Sequence, residues 1–273
     1  MVEPRDGFVE ANGLRFHYLE WGTAERPPLL LLHGFGNQAH IWDPFAETVC
    51  DRYHIYAVDS RGHGDTGHAD AYGDELNATD TLAVCDALGL TRFTLIGFSM
   101  GAANAMIVIS RRPELVERLV LVDRGPESNP AGRERMSRAI SQARSVFPNR
   151  DEALAYIRMA NPRRPEDLVQ TSLRQAFREM PDGSYQLKYD QKLRDRFLGH
   201  AGSGVDLWKC LAAVRCPTLI VRGGESDILA PAVAEKMLAM LPDARLEVVP
   251  DAGHTVMLEN PSEFNRVVGA FLP

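Results

Sequence analysis

Ser99 sits in the string Gly97-Phe98-Ser99-Met100-Gly101, between an apolar run at 93–96 and a helix-like stretch at 102–111. A strand that turns directly into a helix holds its corner residue in a strained backbone conformation and leaves that side chain exposed. Glycines two before and two after the serine suit such a corner, because side chains there would collide with the returning helix and the neighbouring strand. The chemistry this arrangement serves is attack by a hydroxyl on an acyl carbon. That attack needs a base for the hydroxyl proton, a group that orients the base, and donors for the oxyanion.

Each need has a candidate. His254, in Asp251-Ala252-Gly253-His254, follows the last apolar run at 246–249 and is the expected general base. Asp227, in Gly223-Gly224-Glu225-Ser226-Asp227 after the run at 218–221, is the expected orienting acid. Asp123, also directly after a predicted strand at 119–122, is its rival, since either strand end can reach the histidine. Ligands in open α/β sheets gather at the carboxyl ends of the strands, where all these loops lie. The backbone N–H of Met100, next to the serine, is one expected oxyanion donor, and that of Phe35 in His33-Gly34-Phe35-Gly36 is the second. His33 reads as a hydrogen-bonding brace of its own turn rather than a second base.

These residues need a scaffold, and the sequence outlines one. A hairpin is predicted at the start: apolar residues at 8–11, the turn pair Asn12-Gly13, then rough alternation over 14–21. Short apolar runs without alternation follow at 29–32, 55–58, 93–96, 119–122, 218–221 and 246–249, as expected of parallel strands covered on both faces. Helical stretches at 43–49, 74–88, 102–111, 231–241 and 261–271 separate them. Strand and helix therefore alternate, which predicts a doubly wound α/β sheet. From 125 to 205 the rhythm stops. Arg-rich amphipathic pieces at 133–147, 151–160 and 165–180, parted by prolines, predict a helical insertion without strands. The expected organisation is a core of residues 1–124 and 206–273 with a helical cap at 125–205.

Composition limits the function classes. The chain has 273 residues, 45% hydrophobic and 25% charged, which describes an ordinary globular protein. Its net charge of −7 argues against a nucleic-acid partner. No secretory pattern or membrane-length apolar run is expected, which points to a cytoplasmic location. The cysteines Cys50, Cys85, Cys210 and Cys216 form no CxxC pair and are expected to be reduced. His17, His40, His54, His68 and His200 show no metal-ligand spacing, so neither a metal nor another cofactor is expected. The sequence does not specify an oligomeric state.

At this point the chain resembles the α/β-hydrolase fold superfamily over nearly its whole length. The blocks that carry the likeness are HGFG at 33–36, DSRGHGDT at 59–66, GFSMG at 97–101, GGESD at 223–227 and DAGH at 251–254. The order serine, aspartate, histidine is that of the superfamily. The resemblance implies a mainly parallel sheet of about eight strands, flanked by helices, with a helical cap inserted after the sixth. Serine at the elbow sets it apart from dehalogenases and epoxide hydrolases, which normally attack with aspartate. GFSMG is similar to the elbow of small esterases, enol-lactonases and cofactor-free perhydrolases. Carbon–carbon bond hydrolases more often carry asparagine where this chain has Phe98. Ala102 replaces a frequent glycine and Thr66 a common serine, and neither change touches the chemistry.

The implied activity is cleavage of a small carboxylic ester or lactone through an acyl-enzyme on Ser99. Carbon–carbon hydrolysis of a vinylogous diketone, perhydrolysis, and slow-turnover ligand reception on the same scaffold are the alternatives. Trp42, Phe98 and Asn37, with Phe35 and Met100, are candidate pocket residues. Arg61 and His63 read as braces of their turn. Residues 124–196 hold 15 Lys and Arg against 10 Asp and Glu, a balance of +5 that leaves the remainder at −12. Arg124, Arg133 or Arg135 could grip a substrate carboxylate. A solvated basic face is the simpler expectation.

Overall fold

In the computed structural model, which describes residues 2–199 and 204–273, the Asn12-Gly13 pair takes φ values of 46° and 75° and closes a hairpin. Positive φ at both turn residues matches the twist of the two strands it joins. These are β1 (Arg5–Ala11) and β2 (Leu14–Trp21), paired antiparallel with Ala11 opposite Leu14. The apolar runs form β3 (Pro28–Leu32), β4 (His54–Val58), β5 (Phe93–Phe98) and β6 (Val116–Val122). After the insertion come β10 (Thr218–Gly223) and β11 (Ala244–Val249), so that β7 to β9 fall between. The eight-stranded sheet has the order β1-β2-β4-β3-β5-β6-β10-β11, parallel from β4 onward.

Every residue of β4 and β5 is buried, because helices cover both faces. The helices are α1 (Asp43–Val49), α2 (Asp74–Ala87), α3 (Met100–Arg111), α4 (Pro130–Gln142), α5 (Arg150–Ala160), α6 (Glu166–Ala176), α7 (Gln191–Gly199), α8 (Leu207–Leu211), α9 (Pro231–Met240), α10 (Val256–Glu259) and α11 (Pro261–Phe271). In α11, Phe264, Val267, Val268 and Phe271 recur every three or four residues and bury one stripe. Asn260 caps it by accepting from the N–H of Glu263 at 3.3 Å. Helix α3 has no polar stripe: its residues 101–109 are all buried between sheet and flanking helices. Two large apolar clusters result, one on each face of the sheet.

The insertion differs from the expectation of helices alone. Alongside α4 to α7 it holds three two- or three-residue strands, β7 (Val146–Phe147), β8 (Phe177–Glu179) and β9 (Tyr185–Leu187), in the antiparallel order β7-β9-β8. Strands this short carry no readable alternation. They bring Phe147, Phe177 and Leu187 into a third apolar cluster with Leu154, Ile157, Val169 and Leu173.

One of the close backbone approaches in the core lies where β5 meets α3. A Cβ on Gly97 would stand 2.3 Å from the carbonyl oxygen of Gly101, and one on Gly101 would stand 2.2 Å from that of Leu32. Replacing Gly101→Ala is therefore expected to cost about 1–3 kcal/mol or more in stability. A urea midpoint unchanged from the parent protein would contradict this close packing.

Candidate active site

Ser99 occupies the corner between β5 and α3 with φ 52° and ψ −111°. Such a backbone costs a non-glycine residue on the order of 1–3 kcal/mol and persists only where neighbours hold it. Here its N–H donates to Val122 O at 3.0 Å, and its carbonyl accepts the N–H groups of Ala102 and Ala103 at 3.0 and 3.1 Å. The expected steric role of Gly97 and Gly101 is what the corner displays.

From this corner the Ser99 hydroxyl Oγ lies 2.9 Å from His254 Nε2, and His254 Nδ1 lies 2.8 Å from Asp123 Oδ2. A carboxylate facing Nδ1 fixes the proton there. Nε2 is then left as the acceptor for the serine proton. His254 stands on the loop after β11, and its ring lies 4.9 Å from that of Phe98.

The acid is thus a correction: the structure sets Asp123, not Asp227, against the imidazole. Asp123 follows β6, the strand beside the nucleophile's own β5, and is fully buried. Its N–H donates to Val221 O at 2.8 Å, which holds it at the sheet's carboxyl edge. Its Oδ1 accepts from the Gly223 N–H at 3.1 Å, and its Oδ2 accepts from the Ser226 hydroxyl at 2.5 Å as well as from His254. Three donors satisfy a carboxylate that burial would otherwise penalise heavily.

Asp227 turns the other way. Its carboxylate takes both prongs of Arg135 on α4, at 2.5 and 2.8 Å, and the guanidinium holds its carboxyl below the usual carboxylate range. The loop before it is packed on the histidine loop through backbone alone: Glu225 N–H donates to Ala252 O at 2.8 Å, and a Cβ on Gly223 would lie 2.0 Å from Gly253 O. Ser226 therefore points inward to Asp123. Asp227 lies against α4, where a Cβ on Gly132 would come within 1.9 Å of its carbonyl oxygen.

The turn at 33–36 lies on the nucleophile: a Cβ on Gly34 would be 3.2 Å from Ser99 Cβ. Phe35 follows it, and Met100 is the first residue of α3, whose N-terminal end favours negative charge. His33 braces this turn, with Nδ1 donating to Gly34 O at 2.8 Å and Nε2 accepting from the Ser60 N–H at 2.9 Å. Burial lowers its pKa, so it serves as a neutral strut.

The RGHG turn is a brace of the same kind. Arg61 forks onto Asp80 and donates to Ala71 O at 2.8 Å, and burial pushes the pKa of His63 down to about 3. His17, Asp59 and Asp65 lie close enough to share an ion, which the sequence spacing did not suggest. Their atoms are engaged otherwise, since Asp59 accepts from His17 at 2.7 Å and from the N–H groups of Ala39 and Asp65 at 2.6 and 3.0 Å. His200 lies outside the described residues.

Two cavities meet at Ser99. One, of about 630 Å³, is lined by Ser99, Met100, Ala103, Arg124, Met136 and Phe197 among others. The second, of about 620 Å³, is lined by Ser99, Phe98, Asn37, His254, Tyr156 and Arg164 among others, and Phe35 borders both. Phe98 and Asn37 line the second of these cavities. Trp42 lines neither: it is fully buried and packs on Phe45 and Phe264. Sequence reading also passed over Ser226, whose only signal is its position beside an acid in a loop after a strand.

A family model described as the alpha/beta hydrolase family matches residues 29–267. N-formylmaleamate deformylase of Pseudomonas putida is 30% identical over 97% of this chain and 96% of its own length. An esterase of Mycobacterium tuberculosis is 25% identical over 93% of this chain and 85% of its own. The crystal structure of E-2-(acetamidomethylene)succinate hydrolase superposes with a TM-score of 0.91 at 24% identity, covering 99% of both chains, a likeness of fold.

The exchange of acids is open to direct test. Asp123→Asn is expected to lower turnover by roughly 10⁴, as loss of the orienting carboxylate does in other triads. Asp227→Asn breaks only an exposed ion pair and should cost less than about tenfold. The reverse order of effects on kcat would restore Asp227 as the acid.

Proposed function

Because this chain belongs to the alpha/beta hydrolase family, we propose that it is a serine hydrolase that cleaves a small carboxylic ester or lactone through an acyl-enzyme on Ser99. The observation that carries the reading is the continuous path from Ser99 Oγ to His254 to buried Asp123, at 2.9 and 2.8 Å. An esterase and a deformylase among its relatives fit the same reaction class, acyl transfer to water.

In this mechanism His254 Nε2 takes the Ser99 proton as Oγ attacks the carbonyl carbon. The oxyanion is held by the backbone N–H groups of Phe35 and Met100, a role supported by the contact of the 33–36 turn with Ser99 and by the helix N-terminus at Met100. Asp123 stabilises the imidazolium, which then gives its proton to the leaving oxygen as the carbon–oxygen bond breaks. A water molecule, deprotonated by the same nitrogen, attacks the acyl-enzyme and regenerates the serine. Residues 125–205 serve as a cap over this centre, a role supported by their own apolar cluster and their share of both cavity walls. Among the described residues no helix is long and apolar enough to cross a membrane. The four cysteines are unpaired, which fits a reducing compartment such as the cytoplasm.

Labelling with a fluorophosphonate, read by intact mass, and hydrolysis of p-nitrophenyl esters from acetate to decanoate test the proposal together. One adduct on Ser99, with turnover lost in a folded Ser99→Ala protein, is the expected outcome. Undiminished hydrolysis by Ser99→Ala would refute it.

A further inference from the structure

The two cavities that meet at Ser99 are chemically unequal. A substrate carbonyl bonded to Oγ with its oxygen toward Phe35 and Met100 has two remaining substituents, the acyl chain and the leaving group. The leaving group must lie on the side of His254, because Nε2 protonates its departing atom. The 620 Å³ cavity is lined by His254, Gly253 and Thr255. The 630 Å³ cavity is lined by Ser99 and Met100 but by none of the histidine loop. That assigns the 630 Å³ cavity to the acyl chain.

The wall of this acyl cavity carries Arg124, Arg133 and Arg196 against the carboxylates Asp74 and Glu127. Glu127 is already engaged, accepting from Trp208 Nε1 at 2.5 Å and facing Lys236 at 3.6 Å. Arg124 is the inward member. It directly follows Asp123, whose φ of 48° turns the chain sharply at the strand end. Its Nη1 donates to the Ser128 hydroxyl, and its Nε is buried without a hydrogen-bond partner. Other arginines of the chain fork onto carboxylates, as Arg61 does onto Asp80, Arg135 onto Asp227 and Arg158 onto Glu166. Arg124 has no hydrogen-bonded carboxylate among the described residues. A half-buried guanidinium whose Nε is buried without a partner, in a cavity lined by three arginines and two carboxylates, is built to receive an anion.

We propose that the acyl cavity takes an acyl group bearing its own carboxylate, which Arg124 binds, so that the preferred substrates are half-esters of dicarboxylic acids. This rests on the serine-hydrolase reading and adds to it where the charge of the substrate lies. Arg124 is a specificity residue here and takes no part in the bond changes. The serine oxygen–acyl carbon bond forms, the leaving oxygen departs with the histidine proton, and the distal carboxylate is unchanged throughout.

The test compares mono-p-nitrophenyl esters of succinate, glutarate and adipate with the p-nitrophenyl esters of butyrate, valerate and hexanoate, which share the leaving group and chain length, after subtraction of spontaneous cleavage. In the parent enzyme kcat/KM is expected to favour the carboxylated member of at least one pair. Arg124→Gln should lower that charged-to-neutral ratio by about 10- to 100-fold, the range of a charge-assisted hydrogen bond. Arg124→Lys should recover part of it. Aryl acetates with a carboxylate on the leaving group, such as 4-acetoxybenzoate, should show no such dependence on Arg124.

A ratio unchanged in a folded Arg124→Gln protein would overturn the inference, as would a parent enzyme that prefers the neutral ester of every pair. A dependence appearing only for the carboxylated leaving group would overturn the assignment of the cavities. Absence of fluorophosphonate labelling, with no turnover of either series, would instead sink the underlying serine-hydrolase reading.

Discussion

The contact between backbones at the elbow is the constraint on which the rest depends. Helix α3 can start directly from β5 only if Gly97 and Gly101 let main chains approach to distances that a Cβ would forbid. The carbonyls of Leu32 and His33 lie against Gly101, so the end of β3 and the 33–36 turn are drawn to the nucleophile by the same approach. Hydrogen bonds on both sides of Ser99 then hold its unfavourable φ. One packing requirement thus exposes the hydroxyl, aims a helix N-terminus at it and brings the neighbouring turn within reach.

The second organising element is the buried charge of Asp123. An isolated carboxylate with no exposed surface would be strongly disfavoured, and the fold answers with three donors: Gly223 and Ser226 at the end of β10, and His254 after β11. Those donors stitch the loops after β6, β10 and β11 into one unit. Positioning of the histidine and satisfaction of the acid are therefore the same set of bonds, and no part of the set can be moved alone.

Much of this was legible in the sequence, and the exceptions are instructive. The apolar runs located six strands of the large sheet, and helix α1 falls at 43–49 as its pattern indicates. The serine and histidine were marked by local chemistry, a glycine-framed corner and a loop after the last strand. The acid was not, because Asp123 and Asp227 both follow strands and nothing nearby in sequence tells which side chain turns inward. Burial decides it: Asp123 ends a run of fully buried residues, 119–122, whereas Asp227 lies four residues beyond its strand with Arg135 of α4 to meet it. Trp42 was ambiguous for a similar reason, since an aromatic beside a loop can face a cavity or the core. The short strands β7 to β9 were invisible because two or three residues cannot show a period.

The position of the histidine within the sheet has a further consequence. Ser99 and Asp123 stand at the ends of interior strands, flanked on both sides, while His254 follows β11, the edge strand, which pairs with β10 alone. Edge elements open at lower free energy than interior ones. Transient fraying of β11 would withdraw the base while the elbow stays formed, giving a protein that is folded by most measures but chemically silent. Loss of activity on warming would then precede loss of secondary structure, and kinetic robustness would depend on how firmly α11 clamps that one edge.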